Sequence, residues 1–127
     1  MKLLTSTLWI AQLLVACLLG WAAYVKLAKP IADLAAMWPW AGEVSAVFVR
    51  FTGVIDLLGA AGLVLPAALR IQPRLTPIAA IGIIILMVCA SVFHVLRGEG
   101  ASIGFNIGVI AIAAFIAWGR FIKAPIQ

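Results

Sequence analysis

Charge, cysteine and histidine are scarce in this sequence. Only 10% of its 127 residues are charged, four of them acidic, and there are two cysteines and one histidine. A soluble domain needs a solvated surface, which a chain with 66% hydrophobic residues cannot supply. The sequence also lacks zinc-ligand spacings, a P-loop, a dinucleotide-binding glycine motif after a strand, and a nucleophile elbow. These absences exclude a soluble globular protein and leave none of the usual enzyme signatures.

Long apolar runs make up most of what is present. Crossing a hydrocarbon layer of roughly 30 Å takes about 20 helical residues. Four stretches are long enough, at residues 4–28, 44–65, 76–96 and 102–121. Runs such as IAAIGIIILMVCA are apolar on every side instead of alternating, which favours helices over a membrane β-barrel. We therefore predict an all-α protein, an antiparallel four-helix transmembrane bundle that forms a single transmembrane domain over residues 1–127.

The first run allows an alternative interpretation. MKLLTSTLWIAQLLVAC resembles a lipoprotein signal that ends at Cys17. The apolar run continues through LLGWAAYV beyond that point, however, which favours a retained span. Between the first two runs, KPIADLAAMWPWAGE is too short and too interrupted to cross the membrane. Its Trp38, Pro39 and Trp40 are typical of the membrane surface, so we expect a short interfacial segment there.

Small residues inside the runs have ordinary interpretations. Cys17 and Cys89 lie mid-run on different helices and form no C-x-x-C pair, which a four-helix thiol-redox membrane enzyme needs near a helix end. We interpret both as small packing residues buried in the bundle. Gly104 and Gly108 form a G-x-x-x-G motif, which we interpret as helix packing in preference to a dimer contact.

The net charge of +5 is distributed unevenly along the chain. In a four-span bundle both termini share one end, which we call the inner end. It carries five basic residues and no acid: Lys2, Arg70, Arg74, Arg120 and Lys123. The outer end mixes basic and acidic residues: Lys26, Lys29 and Arg97 with Asp33, Glu43 and Glu99. The positive-inside rule therefore predicts a multi-pass protein of the cell membrane with both termini cytoplasmic.

Polar side chains inside the predicted spans are the candidate site residues. Counted from the outer end at about 1.5 Å per residue, their depths are roughly 5 Å for Lys26, His94 and Asn106, about 9 Å for Arg50 and about 18 Å for Asp56. All five lie between the outer surface and about the membrane centre, with Asp56 the deepest. We expect the inner half to hold little polar character apart from Gln12.

Helical spacing tests whether these side chains face one another. On the second span Asp56 shares a stripe with small residues, namely Thr52, Gly53, Gly59 and Ala60. Lys26, His94 and Asn106 belong to small or polar stripes of their own spans, so the four stripes could enclose a common pocket. Arg50 lies about 120° around the helix from Asp56, so its side chain either wraps inward or extends to the outer surface.

The free-energy cost of placing charged residues in the membrane requires that they have partners. An Arg and an Asp near the middle of a span each cost about 2.5 to 3.5 kcal/mol on the insertion scale. Asp56 could be held charged by Lys26 or Arg50, or be protonated and hydrogen-bonded to Asn106 or His94. Two interpretations stay open: the network only fixes helix register, or it lines a water-accessible or ligand-binding cavity that opens at the outer end.

Four segments carry a family resemblance: KLAKP after the first run, FTGVIDLLGAAGLVLP in the second, RLTPIAAIGIIILMVCASVFHVLRGE in the third, and AFIAWGRF closing the fourth. Over nearly the whole chain the sequence resembles the DoxX-like family of small four-helix integral membrane proteins. The resemblance implies that Lys26, Asp56, His94 and Asn106 match the polar positions typical of the family. Arg50 has no secure match, and the second-span acid is commonly Glu in such sequences, where this chain has Asp56.

The resemblance implies a fold more clearly than an activity. One branch is named for a membrane subunit of a thiosulfate:quinone oxidoreductase, and a more distant animal branch resembles a chaperone for acetylcholine receptors. Three functions follow as hypotheses: a binding or accessory protein whose outer-half pocket takes a small amphipathic ligand or lipid, with quinone as one candidate; a membrane subunit of a quinone-linked redox complex; or an assembly factor for other membrane proteins.

The expected partners follow from these hypotheses. We expect the lipid bilayer, and either further copies of the chain or another membrane protein, but no nucleic acid. We expect no intrinsic cofactor, no metal and no catalysis by this chain alone.

Overall fold

The computed structural model describes residues 2–100 and 103–125 and is helical throughout its regular parts. Four long helices are α1 (Lys2–Ala28), α3 (Ala46–Leu69), α4 (Leu75–Leu96) and α5 (Ile103–Trp118). The short helix α2 (Ile31–Met37) and a 3₁₀ turn (Pro39–Gly42) fill the connection between α1 and α3. A π-helical turn, Gly119–Lys123, continues α5. Within the two described ranges no strand occurs, and the predicted all-α four-helix architecture is confirmed.

The second span runs further than the sequence suggests. Ser45 caps the start of α3 by accepting a hydrogen bond from the Phe48 backbone N–H at 3.1 Å. The helix then passes Pro66, because a proline near the end of a helix removes one hydrogen bond without stopping the last turn. It ends where Arg70 adopts a left-handed conformation, φ 55°, and donates its N–H to the Pro66 carbonyl. The predicted start of the fourth span, residue 102, lies outside the described residues.

Close contacts at glycines show that neighbouring helices run antiparallel. A Cβ atom on Gly53, early in α3, would lie 2.9 Å from the Cβ atom of Lys26, late in α1. A Cβ atom on Gly62, late in α3, would lie 2.8 Å from that of Ala79, early in α4. Since real Cβ atoms do not approach so closely, a larger residue at either glycine forces two helices apart.

Two apolar cores occupy different levels of the bundle. The main core joins all four long helices and includes Val15, Leu19, Leu63, Ile83, Val109 and Ile116. A smaller core at the outer end joins Val25 and Val49 to Leu34 of α2 and Ala41 of the 3₁₀ turn. The smaller core fixes the connection against the ends of α1 and α3, and thereby positions its tryptophans.

The outer surface of the bundle is apolar, as a membrane requires. Each long helix, with the π-helical turn counted in the last, is long and apolar enough to cross a bilayer. Leu58, Ile85, Val92 and Ile107 are each more than half exposed. Such a surface needs lipid around it, so the chain is a multi-pass integral membrane protein.

Two interpretations of small residues need correction. Cys17 and Cys89 are exposed on the surface of the bundle instead of buried within it. Gly104 and Gly108 are exposed as well, and a Cβ atom on either would meet nothing within 4 Å in the described part of the chain. Their G-x-x-x-G motif therefore does not pack α5 against another helix of the same bundle.

Candidate functional site

An ion pair buried between α1 and α3 forms the centre of the candidate site. Lys26 Nζ lies 2.7 Å from Asp56 Oδ2, and the two side chains are 14% and 3% exposed. Gly53, one turn before Asp56, allows α1 to approach closely enough for this contact. Of the partners that the sequence allowed for Asp56, the structure brings it together with Lys26.

Two tryptophans cover the ammonium group of Lys26. The Nζ atom lies 5.7 Å from the ring centroid of Trp38 and 5.7 Å from that of Trp40. The two indoles are stacked, with centroids 6.4 Å apart. At these distances each ring attracts the cation through its electron-rich face. The connection between α1 and α3 thus forms an aromatic roof, Trp38 and Trp40, over the ion pair.

Arg50 closes the end of α1 and does not join the ion pair. Its Nη1 atom donates to the backbone carbonyls of Lys26 and Lys29, the latter at 2.8 Å. In a continuous helix the Lys26 carbonyl would accept from residue 30, but Pro30 has no N–H. The guanidinium supplies the missing donor, and its positive charge also suits a helix C-terminus.

His94 belongs to a second polar cluster at the outer end. Its Nδ1 atom lies 3.0 Å from Glu99 Oε1, which also accepts from Arg97 Nε at 3.0 Å. Arg97 Nη2 donates in turn to Glu43, just beyond the 3₁₀ turn. These hydrogen bonds, first from His94 and then from Arg97, hold the pKa of Glu99 below its ordinary value. Hydrogen bonds to Glu43 and Glu99 raise the pKa of Arg97.

Trp40 is the link between the two clusters. Besides facing Lys26, its ring lies edge-on to that of His94, with centroids 6.5 Å apart. The structure therefore gathers Lys26 and Asp56 in one cluster and His94 in a neighbouring one, with one indole between them.

Asn106 stands apart from both clusters. The residue is 7% exposed, and its Nδ2 atom is buried without a hydrogen-bond partner among the described residues. An unpaired buried amide group is costly to a folded protein.

A buried network in the inner half is the feature that sequence reasoning missed. Arg120 is 4% exposed, and its Nε atom donates to Gln12 Oε1 at 2.7 Å. Gln12 Nε2 donates to the Leu63 carbonyl at 2.7 Å, and Arg120 Nη1 to the Ala124 carbonyl at 3.0 Å. The guanidinium also lies 5.6 Å from the ring of Trp9. The expectation that the inner half holds little apart from Gln12 is therefore wrong.

Helical spacing explains why Arg120 is buried, because it lies four residues after Ile116 and continues the i+3/i+4 stripe of buried residues along α5. A π-helical turn then ends the span. The Ala124 N–H bonds to the Gly119 carbonyl at 2.7 Å, a five-residue spacing that changes the register of the helix. Gly119 itself packs tightly on Leu8 of α1. The signal in the sequence was Gln12, whose amide inside an apolar run requires a buried partner.

Comparison with known proteins supports a family assignment. A sequence model of the DoxX-like family matches residues 10–116, a range that contains all five residues predicted for the site. No curated protein and no solved structure matches the chain. Within the described residues there is no group of three or more His, Cys, Asp or Glu side chains placed to hold a metal ion.

Proposed function

Because this chain belongs to the DoxX-like family of membrane proteins, we propose that it is a binding or accessory protein whose outer-end site takes a small amphipathic molecule or lipid. The site comprises the Lys26–Asp56 ion pair and the aromatic roof. Quinone is one candidate ligand. The proposal includes a single transmembrane domain in the cell membrane with both termini in the cytoplasm.

The buried ion pair is the observation that carries the proposal. Desolvating two charges is expensive, and apolar residues of similar volume often stabilise a protein as well or better. Here the Asp56 side chain is 3% exposed, inside a helix that is otherwise strongly apolar. Ionisable groups at such positions in membrane proteins commonly serve a pathway or a ligand.

The chemistry of the site suits an amphipathic ligand. The ammonium of Lys26 has three N–H donors, one of which is directed to Asp56. A carbonyl, hydroxyl or carboxylate on a ligand can accept from another donor, while an apolar body packs on the indole faces. His94 lies on the far side of Trp40 and offers a second polar contact to a ligand that displaces this ring.

Access to the site depends on the connection between α1 and α3. The Arg97–Glu43 ion pair joins this connection to the end of α4. A ligand that enters from the outer surface must move the aromatic roof, so this ion pair acts as a latch on the entrance.

The decisive experiment separates a binding site from a network that only fixes helix register. Thermal unfolding of the purified full-length protein is followed in detergent with and without decylubiquinone. We expect the ligand to raise the melting temperature of the wild type, and Asp56→Asn to abolish this rise while the variant stays folded. Ser91→Ala is the control, because this hydroxyl donates to the Met87 carbonyl of its own helix. If Asp56→Asn unfolds the bundle and no amphiphile stabilises the wild type, the register interpretation is correct.

One observation favours a second candidate, an assembly factor or an oligomer in which α5 meets another membrane helix. Gly104 and Gly108 are exposed and open to close approach by a foreign backbone. Disulfide crosslinking through a cysteine at Ile107, on the exposed side of α5, tests this proposal in native membranes. A crosslinked partner that disappears with Gly108→Leu supports the contact, and a chain that stays uncrosslinked contradicts it.

A further inference from the structure

A groove at the seam between α1 and α5 lies in the inner half of the bundle, far from the ion pair. Its volume is about 380 Å³, within the range of small-molecule sites. The lining residues are Thr7, Ile10, Ala11, Leu14, Ala111, Ile112 and Phe115. The one polar group among these side chains, the Thr7 hydroxyl, donates to the Leu3 carbonyl at 2.8 Å. The groove is therefore suited to a hydrocarbon chain.

The inner end of the groove has the features of a membrane surface. Phe115 stacks on Trp118 with ring centroids 6.1 Å apart, and Trp118 is 43% exposed. Tryptophans at this depth favour the headgroup level of a bilayer. Beyond them, the exposed Lys123 lies eight residues past Phe115, or about 12 Å further along the helix axis.

Charge decides which lipid fits. The exposed Lys2 precedes Thr7 by five residues, so both lysines lie beyond the inner end of the groove. Of the four acidic residues of the chain, Asp33, Glu43 and Glu99 lie beyond the outer ends of the spans, and Asp56 is buried inside α3. A lipid whose acyl chain fills the groove thus has its headgroup among cations with no acid nearby, which favours an anionic headgroup.

We propose that the groove between α1 and α5 is a binding site for an anionic phospholipid, with one acyl chain along Ala11 and Ala111 and the headgroup at Lys2 and Lys123. This site is independent of the outer-end site and does not rest on the function proposed for it. It binds a lipid of the leaflet that surrounds the chain termini.

Native mass spectrometry of the full-length protein tests the proposal with an equimolar mixture of dioleoyl phosphatidylglycerol and dioleoyl phosphatidylcholine. We expect selective retention of phosphatidylglycerol that weakens as salt is added. Each of Lys2→Gln and Lys123→Gln should lower the selectivity about fivefold, the effect expected for one lysine near a headgroup. Lys29→Gln, at the outer end, is the control and should leave it unchanged.

The groove itself is tested by filling it. Ala111→Trp should reduce retention of both lipids, whereas Ala114→Trp, on an exposed position of the same helix outside the lining, should not. Thr7→Trp fills the groove from α1 and replaces Ala111→Trp if that variant does not fold. Equal retention of the two lipids, or unchanged retention in the filled variants, would refute the proposal. A dimer that dissociates on filling the groove would also refute it, because the occupant would then be a second copy.

Discussion

Removing one member of the Lys26–Asp56 pair should destabilise the protein far more than removing both. Asp56→Leu leaves an ammonium inside the bundle with only 14% of its side chain exposed, and Lys26→Met leaves a carboxylate that is 3% exposed. Breaking a buried pair costs about 3 to 5 kcal/mol, whereas replacing the whole pair by apolar residues is often neutral or stabilising. Each single variant should therefore lose about 3 kcal/mol or more, and the double variant should recover most of this loss.

The two single losses should differ in size. Lys26 lies two residues from the end of α1, so its flexible chain can extend towards the outer surface when Asp56 is absent. Asp56 lies in the middle of α3, and its short side chain cannot reach the surface. We therefore expect Lys26→Met to lose more stability than Asp56→Leu at neutral pH.

The assay is SDS-driven unfolding in mixed micelles, followed by the fluorescence of the five tryptophans, two of which cover the pair. A double-mutant cycle from the four unfolding free energies gives the coupling between the side chains directly. Additive losses, or single losses below about 1 kcal/mol, would show that the pair contributes no coupling energy and would refute the reasoning. A double variant that is stable but no longer responds to decylubiquinone would show that the pair serves binding and not register.

Three further predictions follow from other parts of the structure. Arg50→Gln should speed amide hydrogen exchange at the end of α1 and lower the free energy of unfolding by about 1 to 3 kcal/mol, because the carbonyls at that end lose their donor. Arg74→Gln, in an exposed loop, is the control. Gly62→Leu should destabilise the bundle by about 1 to 3 kcal/mol because a Cβ atom there would lie 2.8 Å from an alanine of α4, while Gly82→Leu faces open space and should be nearly neutral by the same unfolding assay. The pKa of Glu99 is lower in the folded protein than in the unfolded chain. Its contribution to the free energy of unfolding is therefore fully present above the unfolded pKa of about 4.3, and it is lost as pH falls through the lower folded pKa. Tryptophan fluorescence of the roof should therefore change in acid, and Glu99→Gln should remove that pH response while leaving any change due to other groups.

The sequence predicts the fold well because the membrane fixes the length and polarity of each span. The polar positions were also informative, since the cost of Asp56 in an apolar helix required a partner and Lys26 was one of the candidates. The depth count separated these two residues, whereas the structure places Lys26 opposite Gly53, one turn from Asp56. Arg50 could be interpreted only with the backbone in view, because its partners are two carbonyl groups at the end of α1 and not side chains, and one of these carbonyls lacks a helical donor because of Pro30.

Most of the remaining errors have one physical source. Helices that are apolar on every face carry no periodic signal to separate their interior from their lipid-facing side, so the exposure of Cys17, Cys89 and Gly108 could not be read from spacing. At Arg120 the error was different, because the residue continues the regular stripe of buried residues that runs from Asn106 to Ile116, whereas its charge was assigned to the inner surface.

The capping of α1 by Arg50 has a consequence for the order of assembly. When α1 first enters the membrane, α3 has not yet followed it, and the carbonyls of Lys26 and Lys29 have only water at the surface as a donor. These carbonyls can be buried in the apolar layer only when Arg50, some twenty residues later in the chain, donates hydrogen bonds to them. The first two spans should therefore insert as one hairpin, and α4 and α5 should dock onto a unit that is already closed at its outer end.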